Sequence, residues 1–337
     1  MKIAVLLSGG VDSTIAALCL KEQGYELLGL TMVNWDMGVG DKAAEAARMM
    51  GIEHKIVDMR GRFKESVVDY FCSAYEKGQT PNPCVECNKY IKFGALLEKA
   101  QSEGCDMVAT GHYAQVEFDS DRQRYLLKKG VDSKKDQSYF LYGLTQEQLA
   151  HIHFPLGRFS KDEVRALARQ KGMKSAESPE SQEICFIPGD YREFLKGRIE
   201  CHSGEIRDTE GRLLGKHQGL AFYTIGQRKG LGISGGKPLY VVDMDIKANI
   251  LMVGDNQDLF RSSLIASRNN FIYYDRIDCP MQVQAKIRYA AKPEDATIYM
   301  EDNLVRVEFA EPQRAVTPGQ SVVYYLGEYV LGGGLIC

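Results

Sequence analysis

The chain has 337 residues and a formal net charge of −3, with 44% hydrophobic and 26% charged residues. This length predicts two or three domains, and the composition excludes extended disorder, a disulfide-stapled miniprotein and a coiled coil. The near-neutral charge excludes histone-like coating of nucleic acid but is compatible with a local basic groove. Because no apolar run approaches the ~20 residues of a membrane span, we expect a cytoplasmic protein. We also expect a monomer.

The first third of the chain alternates short apolar runs with helical periodicity. Strands are predicted at 2–7, 26–33, 52–58 and 107–110, and helices at 14–21, 42–50 and 63–76. This order indicates a parallel sheet covered by helices, with the ligand in the loops that follow the strands. The capping boxes Thr145-x-x-Gln148 and Ser160-x-x-Glu163 predict two more helices. The basic residues of the second, Lys161 among them, are typical of a solvated helix face.

The pattern changes near residue 190. Glycines crowd residues 211–236, and β-rich stretches appear at 239–243 and 250–253. The last segment contains short alternating strands at 282–289, 297–300, 305–309 and 321–325. We therefore predict an α/β parallel-sheet domain over 1–189, a small central β-rich domain over 190–261 and a C-terminal β-barrel domain over 262–337.

A glycine-rich segment, Ser8-Gly9-Gly10-Val11-Asp12-Ser13, separates the first strand from its helix. Glycines there allow the backbone to approach a phosphate, and the N–H groups of the helix point toward it. The segment is neither a Walker A loop nor a dinucleotide fingerprint. It matches the S-G-G-x-D-S loop of the ATP pyrophosphatases, which split ATP between its α and β phosphates and activate an oxygen as its adenylate.

Three cysteines form the second functional pattern. Cys84 and Cys87 make a C-x-x-C after the turn Thr80-Pro81-Asn82-Pro83, and Cys185 lies in a separate segment. We predict that the C-x-x-C stands at the N-terminus of a helix over 88–101, which would lower the thiol pKa and favour thiolate. Half of a structural zinc site is the alternative, although the sequence has no second C-x-x-C or H-x-x-x-H.

These motifs resemble those of the bacterial tRNA-specific 2-thiouridylases, ATP-dependent enzymes that replace the 2-oxygen of the wobble uridine with sulfur. The resemblance spans the whole chain and is carried by Ser8–Ser13, Thr80–Phe93, Thr110–Tyr113, Lys135–Leu141, Cys185–Ile187, His217–Gly219, Tyr223–Ile233, Arg314–Gln320 and Leu331–Gly334. It implies a PP-loop domain of the adenine nucleotide alpha hydrolase type, followed by a tRNA-binding central domain and a C-terminal β-barrel.

The resemblance also implies roles for individual residues. The residues implied to hold ATP are Leu6, Leu7, Ser8, Gly9, Gly10, Val11, Asp12, Ser13, Met32 and Gly111. The target base would meet Asn82, Pro83 and Cys84, while Cys87 would be the nucleophile and Cys185 the persulfide carrier. The residues implied to contact tRNA are His112, Lys135, Asp136, Gln137, Arg288, Tyr289 and Gln320.

The implied reaction needs ATP, Mg²⁺, tRNA and a separate protein that delivers persulfide sulfur. Two uses of the thiols stay open: a persulfide pair of Cys87 and Cys185, which we favour, or an iron–sulfur cluster held by both together with Cys84. Many family members have aspartate at the position of Cys84, so no acid–base role is carried over to it. The chain is also short between Trp35 and Asp41, where longer members have an insertion.

RNA binding has separate support in residues 191–240, which contain nine Lys or Arg against five Asp or Glu. Such a basic, glycine-rich strip suits contact with phosphates, and a solvated face is the alternative. Two other functions stay open. One is a PP-loop ligase or amidotransferase acting on a small metabolite, which would not need Cys87 or Cys185. The other is a non-enzymatic RNA-binding protein whose cysteines hold a metal.

Overall fold

The computed structural model describes residues 1–35, 40–173, 184–233 and 237–337. The strands that precede residue 160 are β1 (Lys2–Leu6), β2 (Glu26–Val33), β3 (Glu53–Asp58), β4 (Met107–Ala109), β5 (Ala114–Asp119), β6 (Arg124–Lys129) and β7 (Ile152–His153). The later strands are β8 (Gly204–Asp208), β9 (Leu213–His217), β10 (Tyr240–Asp245), β11 (Ile250–Gly254), β12 (Phe260–Phe271), β13 (Met281–Lys286), β14 (Glu294–Glu301), β15 (Leu304–Arg314), β16 (Ser321–Leu326) and β17 (Tyr329–Ile336).

Helices cover the first sheet and connect its strands. The α-helical segments are α1 (Val11–Glu22), α2 (Gly40–Met50), α3 (Arg60–Phe63), α4 (Asp69–Glu76), α5 (Pro83–Glu86), α6 (Leu96–Ser102), α7 (Gln146–Ala150), α8 (Lys161–Gln170) and α9 (Tyr191–Leu195). Two π-helical segments interrupt them, π1 (Lys64–Val68) and π2 (Cys87–Ala95). Among the described residues, no helix combines the length and apolar character needed to cross a membrane.

The first sheet is parallel, in the order β3-β2-β1-β4-β7, as the sequence predicts. Its central strand is an apolar run in which Ile3, Ala4 and Val5 are fully buried, because helices cover both faces of such a sheet. The chain proceeds from β1 outward to β2 and β3 on one side and then crosses to β4 on the other. In open parallel sheets, ligands bind at the carboxyl edge beside such a change of direction.

The two predicted β domains are also confirmed. The central one is a four-stranded sheet in the order β10-β11-β8-β9, and its core includes Ile206, Val241 and Leu251. In the last domain, six strands from β12 to β17 form a closed barrel, because β12 pairs with both β15 and β17. Closure leaves no free edge in the barrel's ring, although β17 also pairs with a strand from the first part of the chain.

That additional strand belongs to the β5–β6 hairpin, which sequence analysis did not predict. β5 starts at Ala114, shortly after β4 ends at Ala109, and β6 pairs with β17 through Lys128 and Tyr329. One apolar core consequently contains residues of the first sheet, such as Ala4, and residues of the barrel, such as Val323 and Tyr325. The hairpin thus fixes the barrel against the sheet that carries the glycine-rich loop.

The helix boundaries differ from the predictions at two functional places. The first helix begins at Val11, inside the glycine-rich segment, rather than at residue 14. The helix predicted over 88–101 begins earlier, at Pro83, and continues as α5, π2 and α6 to Ser102. Proline is well suited to the first helical position because it has no N–H to leave unpaired. Both predicted capping boxes are present, at Thr145 and at Ser160.

A glycine substitution tests how the hairpin is seated. At Gly157, an added Cβ would overlap the backbone oxygen of Ala114, the first residue of β5. Since backbone cannot move aside cheaply, Gly157→Ala is expected to destabilise the protein by about 1–3 kcal/mol and to lower its urea midpoint. The control is Gly61→Ala in α3, where an added Cβ meets nothing within 4 Å. Equal midpoints for the two variants would contradict this packing.

Candidate functional site

A cavity of about 200 Å³ lies at the carboxyl edge of the first sheet, beside β1 and β4. Its lining combines the glycine-rich loop, residues of β1 and β2, the segment after β4, one residue of π2 and Gln137: Leu6, Leu7, Ser8, Asp12, Ser13, Leu30, Met32, Lys92, Thr110, Gly111, His112 and Gln137. Most residues expected to hold ATP are among these. Gly9, Gly10 and Val11 belong to the same loop but not to the lining. The cavity therefore lies where the strand order predicts a ligand.

The loop keeps side chains away from the start of α1. Gly9 has a φ of +75°, and a Cβ at Gly111 would lie 2.7 Å from the backbone carbon of Asp12. Gly10, the residue before the helix, brings no side chain to cap its first N–H groups. The Ser13 hydroxyl donates to the carbonyl oxygen of Gly10 (3.1 Å) and accepts from the N–H of Ser8 (3.2 Å). The uncapped N–H groups at the start of α1 and the positive end of the helix dipole are suited to binding a phosphate.

Asp12 is held by a partly buried ion pair. The ammonium nitrogen of Lys161, the first residue of α8, lies 2.6 and 2.7 Å from the two carboxylate oxygens of Asp12. The hydroxyl of Tyr113 donates to the same carboxylate at 2.8 Å. Lys161 is only 6% exposed, so its assignment to a solvated helix face is wrong. The contact spans 149 residues of sequence, which is why the local helix pattern could not reveal it.

His112 and Gln137 line this cavity, whereas the family resemblance places them among the tRNA contacts. Burial, and secondarily the charge of Lys92, lowers the pKa of His112 well below its usual value, so the ring is neutral. Its Nδ1 lies 2.6 Å from the hydroxyl of Thr110. The side-chain oxygen of Gln137 accepts the N–H of Tyr113 at 3.0 Å. Both side chains thus help to shape the wall of the cavity.

The three thiols of the second pattern interact electrostatically, since Cys84 and Cys185 both influence the ionisation of Cys87. Cys84 is in α5, Cys87 opens π2, and the side-chain amide of Asn34 lies 3.6 Å from the sulfur of Cys185. Cys87 is 8% exposed, while Cys84 and Cys185 are accessible to solvent. All nine cysteines carry free thiols. Burial is nevertheless the largest influence on the ionisation of both accessible thiols.

Burial dominates the ionisation of these thiols. It raises the pKa of Cys87 to about 12 and also raises the pKa of Cys84 and of Cys185, while the charge of Lys92 acts in the opposite direction on all three. The expected lowering by a helix N-terminus is therefore wrong for the structure without ligands. The helix begins at Pro83, which puts Cys87 more than one turn inside it, beyond the region where the helix dipole acts.

A shared metal centre for these thiols finds no support in the geometry. Within the described ranges, no three His, Cys, Asp or Glu side chains come together closely enough to hold one metal ion. An iron–sulfur cluster on Cys84, Cys87 and Cys185 would require the three sulfurs to be gathered around one centre. The persulfide alternative requires only that Cys87 can reach Cys185.

The turn before Cys84 is held by both β domains. The N–H of Thr80 donates to the backbone oxygen of Pro318 (2.8 Å), and the side-chain amide of Gln320 donates to the backbone oxygen of Thr80 (2.9 Å). The hydroxyl of Thr80 also donates to that of Thr224 in the central domain at 3.4 Å. Gly319, with φ +88°, permits this approach because a Cβ there would lie 2.8 Å from the nitrogen of Thr80.

Of the residues expected to meet the target base, Asn82 and Pro83 belong to this turn, and Cys84 follows it. Asn82 is hydrogen-bonded through its side chain to the hydroxyl of Tyr139. Pro83 is buried at the first position of α5. Gln320, expected to contact tRNA, also supports this turn from the barrel side.

The other residues expected to contact tRNA lie on two neighbouring surfaces. Asp136 is buried and accepts from the N–H of Gly130 and from Ser138, so its carboxylate shapes the turn that also contains Lys135. On the barrel, Arg288 donates to the backbone oxygen of Arg314. Tyr289 is 37% exposed, and its ring centroid lies 4.5 Å from that of Phe140. An accessible aromatic ring of this kind suits stacking on a nucleobase.

Ion pairs occupy part of the basic strip of the central domain. Lys196, Arg207, Arg212 and Lys237 pair with nearby carboxylates. The remaining members include Lys216, Arg228 and Lys229, which are exposed and join none of the ion pairs between described residues. These three are the strongest candidates for phosphate contacts in the strip.

Sequence analysis missed several residues of the site. Leu30, Lys92 and Thr110 line the cavity, Asn34 contacts Cys185, and Lys161 pairs with Asp12. One local signal was available for Lys92, a charged residue between the apolar Ile91 and Phe93. The position of Asn34 directly after β2 follows the rule that ligand loops come after parallel strands.

Sequence comparisons match the whole chain to known families. Residues 1–189 match the family model described as tRNA methyl transferase HUP domain, residues 192–255 the tRNA methyl transferase PRC-barrel domain, and residues 261–336 the aminomethyltransferase beta-barrel domain. A protein of Syntrophomonas wolfei named tRNA-specific 2-thiouridylase MnmA is 53% identical over 337 residues, covering 100% of both chains. Similarly named proteins of Caldanaerobacter subterraneus and Acetivibrio thermocellus are 50% and 48% identical, with at least 97% of each chain covered.

The raised thiol pKa values predict slow alkylation of the protein without ligands. The iodoacetamide reaction of Cys185 should continue to accelerate above pH 9, because a raised pKa keeps the thiol protonated until high pH. Cys87 should react more slowly still at every pH. Peptide mass spectrometry after timed alkylation measures both rates, with glutathione as the reference thiol. A rate for Cys185 that reaches its plateau below pH 8 would show a thiolate already present at neutral pH.

Proposed function

Because the chain belongs to the tRNA-specific 2-thiouridylase family, we propose that it is a tRNA-uridine 2-sulfurtransferase, which converts the wobble uridine of tRNA to 2-thiouridine with ATP and persulfide sulfur. One observation carries the proposal: a single helix, α5 to α6, contributes Lys92 to the phosphate-binding cavity and also contains Cys84 and Cys87. Nucleotide chemistry and thiol chemistry thus share one helix.

The first half of the reaction activates the base. The 2-carbonyl oxygen of uridine is a poor leaving group, so it must first be bonded to a better one. In the proposed step this oxygen attacks the α-phosphorus of ATP, the bond between the α-phosphorus and the bridging oxygen breaks, and pyrophosphate leaves. The N–H groups at the start of α1 would stabilise the departing phosphates without needing to reorganise.

Magnesium is the metal that this step requires, and the residues fit it. Mg²⁺ is commonly held by one or two carboxylates together with substrate phosphates and water, and Asp12 provides a carboxylate in the lining of the cavity. When bound, the ion would neutralise charge on the phosphates. Asp12 would hold the ion, and Tyr113 and Lys161 would keep its carboxylate oriented.

The second half of the reaction transfers sulfur. A separate sulfur-donor protein would load Cys185, which is accessible, with a sulfane sulfur. The Cys87 thiolate would attack the Cys185 sulfur, so that the persulfide bond breaks, hydrosulfide leaves and a Cys87–Cys185 disulfide forms. Hydrosulfide then bonds to C2 of the uridine as the C2–O bond breaks and AMP leaves. A dithiol reductant must restore the two thiols before the next turnover.

The alternatives explain less of the structure. Methyl transfer, which the names of two family models mention, requires neither a phosphate cradle nor neighbouring thiols. A PP-loop ligase for a small metabolite would use the cavity but leave Cys87 and Cys185 without a task. A non-enzymatic RNA-binding protein would leave the whole cavity unexplained. The thiolation proposal accounts for the cavity, the thiols and the exposed basic residues together.

An assay with purified components tests the proposal. The protein is incubated with unmodified tRNA, ATP, Mg²⁺, a dithiol reductant and a cysteine desulfurase with cysteine, and the digested nucleosides are analysed by mass spectrometry. We expect 2-thiouridine and AMP in equal amounts. Cys87→Ser and Cys185→Ser should reduce thiolation by at least a hundredfold, whereas Cys84→Ser should keep substantial activity and the exposed-cysteine control Cys279→Ser nearly all of it.

Two results would contradict this account. Thiolation that persists in Cys185→Ser would remove the persulfide carrier from the mechanism. Activity that appears only after reconstitution with iron and sulfide, and disappears in Cys84→Ser, would replace the persulfide pair with a cluster. Methylated nucleosides formed in a parallel reaction that supplies a methyl donor, S-adenosylmethionine, in place of ATP would instead favour methyl transfer.

A further inference from the structure

Lys92 is a basic residue of the nucleotide cavity to which neither the sequence motifs nor the mechanism above gives a task. It is half-buried in π2 and is the one lysine or arginine in the cavity lining given above. Among the residues that the structure describes, no carboxylate lies within ion-pair distance of its ammonium group. Since partly burying an unpaired cation is unfavourable, the arrangement indicates a place for an anionic ligand.

The π-helical segment brings Lys92 to the same side of the helix as Cys87. In an α-helix with 3.6 residues per turn, residues five apart would point about 140° away from each other. In π2 the hydrogen bonds run from each residue to the fifth after it, as between the oxygen of Ile91 and the N–H of Leu96, so the fifth residue returns to nearly the same face.

The electrostatics agree with this placement. The charge of Lys92 acts on Cys84, on Cys87 and on Cys185, and for each thiol it is the first influence that opposes burial. The neutral ring of His112 stands beside the same cavity, so it adds no second positive charge there. Lys161, the other nearby lysine, is already paired with Asp12. One ammonium group therefore lines the phosphate-binding cavity and also acts electrostatically on the three thiols.

We propose that Lys92 is a cation shared by both halves of the reaction, binding the α-phosphate of the nucleotide in the cavity and stabilising the sulfur anions at the three thiols. The identity of these anions rests on the proposed function. When C2–O cleaves, its electron pair moves to the departing AMP, whose phosphate gains negative charge, and Lys92 would stabilise that charge without forming a bond. Before that step, the same charge would favour the Cys87 thiolate that attacks the persulfide.

Two measurements without tRNA or a sulfur donor test this inference. The first is the affinity for AMP, measured by calorimetry. The second is the pH profile of Cys185 alkylation in the protein without nucleotide. Lys92→Gln should weaken AMP binding roughly tenfold and slow the alkylation of Cys185 at pH 8 about threefold or more, because both anions lose their cation. Lys92→Arg should restore most of both properties.

The matched control is Lys89→Gln, which removes a lysine from the same helix at a position outside the cavity lining. It should leave both measurements unchanged. Circular dichroism measures whether each variant is folded. If Lys92→Gln does not fold, Lys92→Arg still tests the role of the charge, because it keeps the positive charge and changes only the group that carries it.

Each other outcome overturns the proposal. If Lys92→Gln changes only AMP affinity or only alkylation, the residue acts at one site and is not shared. If Lys89→Gln has the same effects, the cause is the general charge of the helix. Because neither measurement depends on 2-thiouridine formation, failure of the thiolation assay and failure of this inference are distinguishable.

Discussion

The hydrogen bonds between the C-terminal barrel and Thr80 fix the position of the helix on which both parts of the site depend. The backbone of Pro318 and the side chain of Gln320 hold Thr80 from the barrel side, and three residues later Pro83 starts the helix. That helix contains Cys84, Cys87 and Lys92. Its start is therefore set by residues more than 230 positions away in the sequence. The barrel is thus part of the support of the site.

This dependence gives the β5–β6 hairpin a structural role. The barrel can hold Thr80 only if it is fixed relative to the first sheet, and the hairpin provides this by leaving the sheet beside the nucleotide cavity and pairing with β17. The shared apolar core adds to the attachment because side chains of both parts pack together there. Cavity, thiols and barrel consequently form one connected unit rather than a catalytic domain with an appended module.

Sequence analysis predicts the parts of this unit that depend on local patterns. The parallel sheet follows from apolar runs, the phosphate-binding loop from Ser8 to Ser13, and the two capped helices from Thr145 and Ser160. What it misses depends on contacts between distant residues. The β5–β6 hairpin has mixed polar residues whose pairing partner lies about 200 positions later. Lys161 looks like a surface residue of α8 until its contact with Asp12 is known, and the thiol pKa values depend on burial that no local pattern reveals.

In the proposed reaction, the cavity activates the 2-oxygen of uridine by joining it to the α-phosphate of ATP. The direct measurement uses tRNA whose wobble uridine carries oxygen-18 at position 2, converted by the enzyme with ATP and persulfide sulfur. Mass spectrometry of the released AMP should show one oxygen-18 on its phosphate for each 2-thiouridine formed. Label found in water or in pyrophosphate, with unlabelled AMP, would contradict activation through an adenylate.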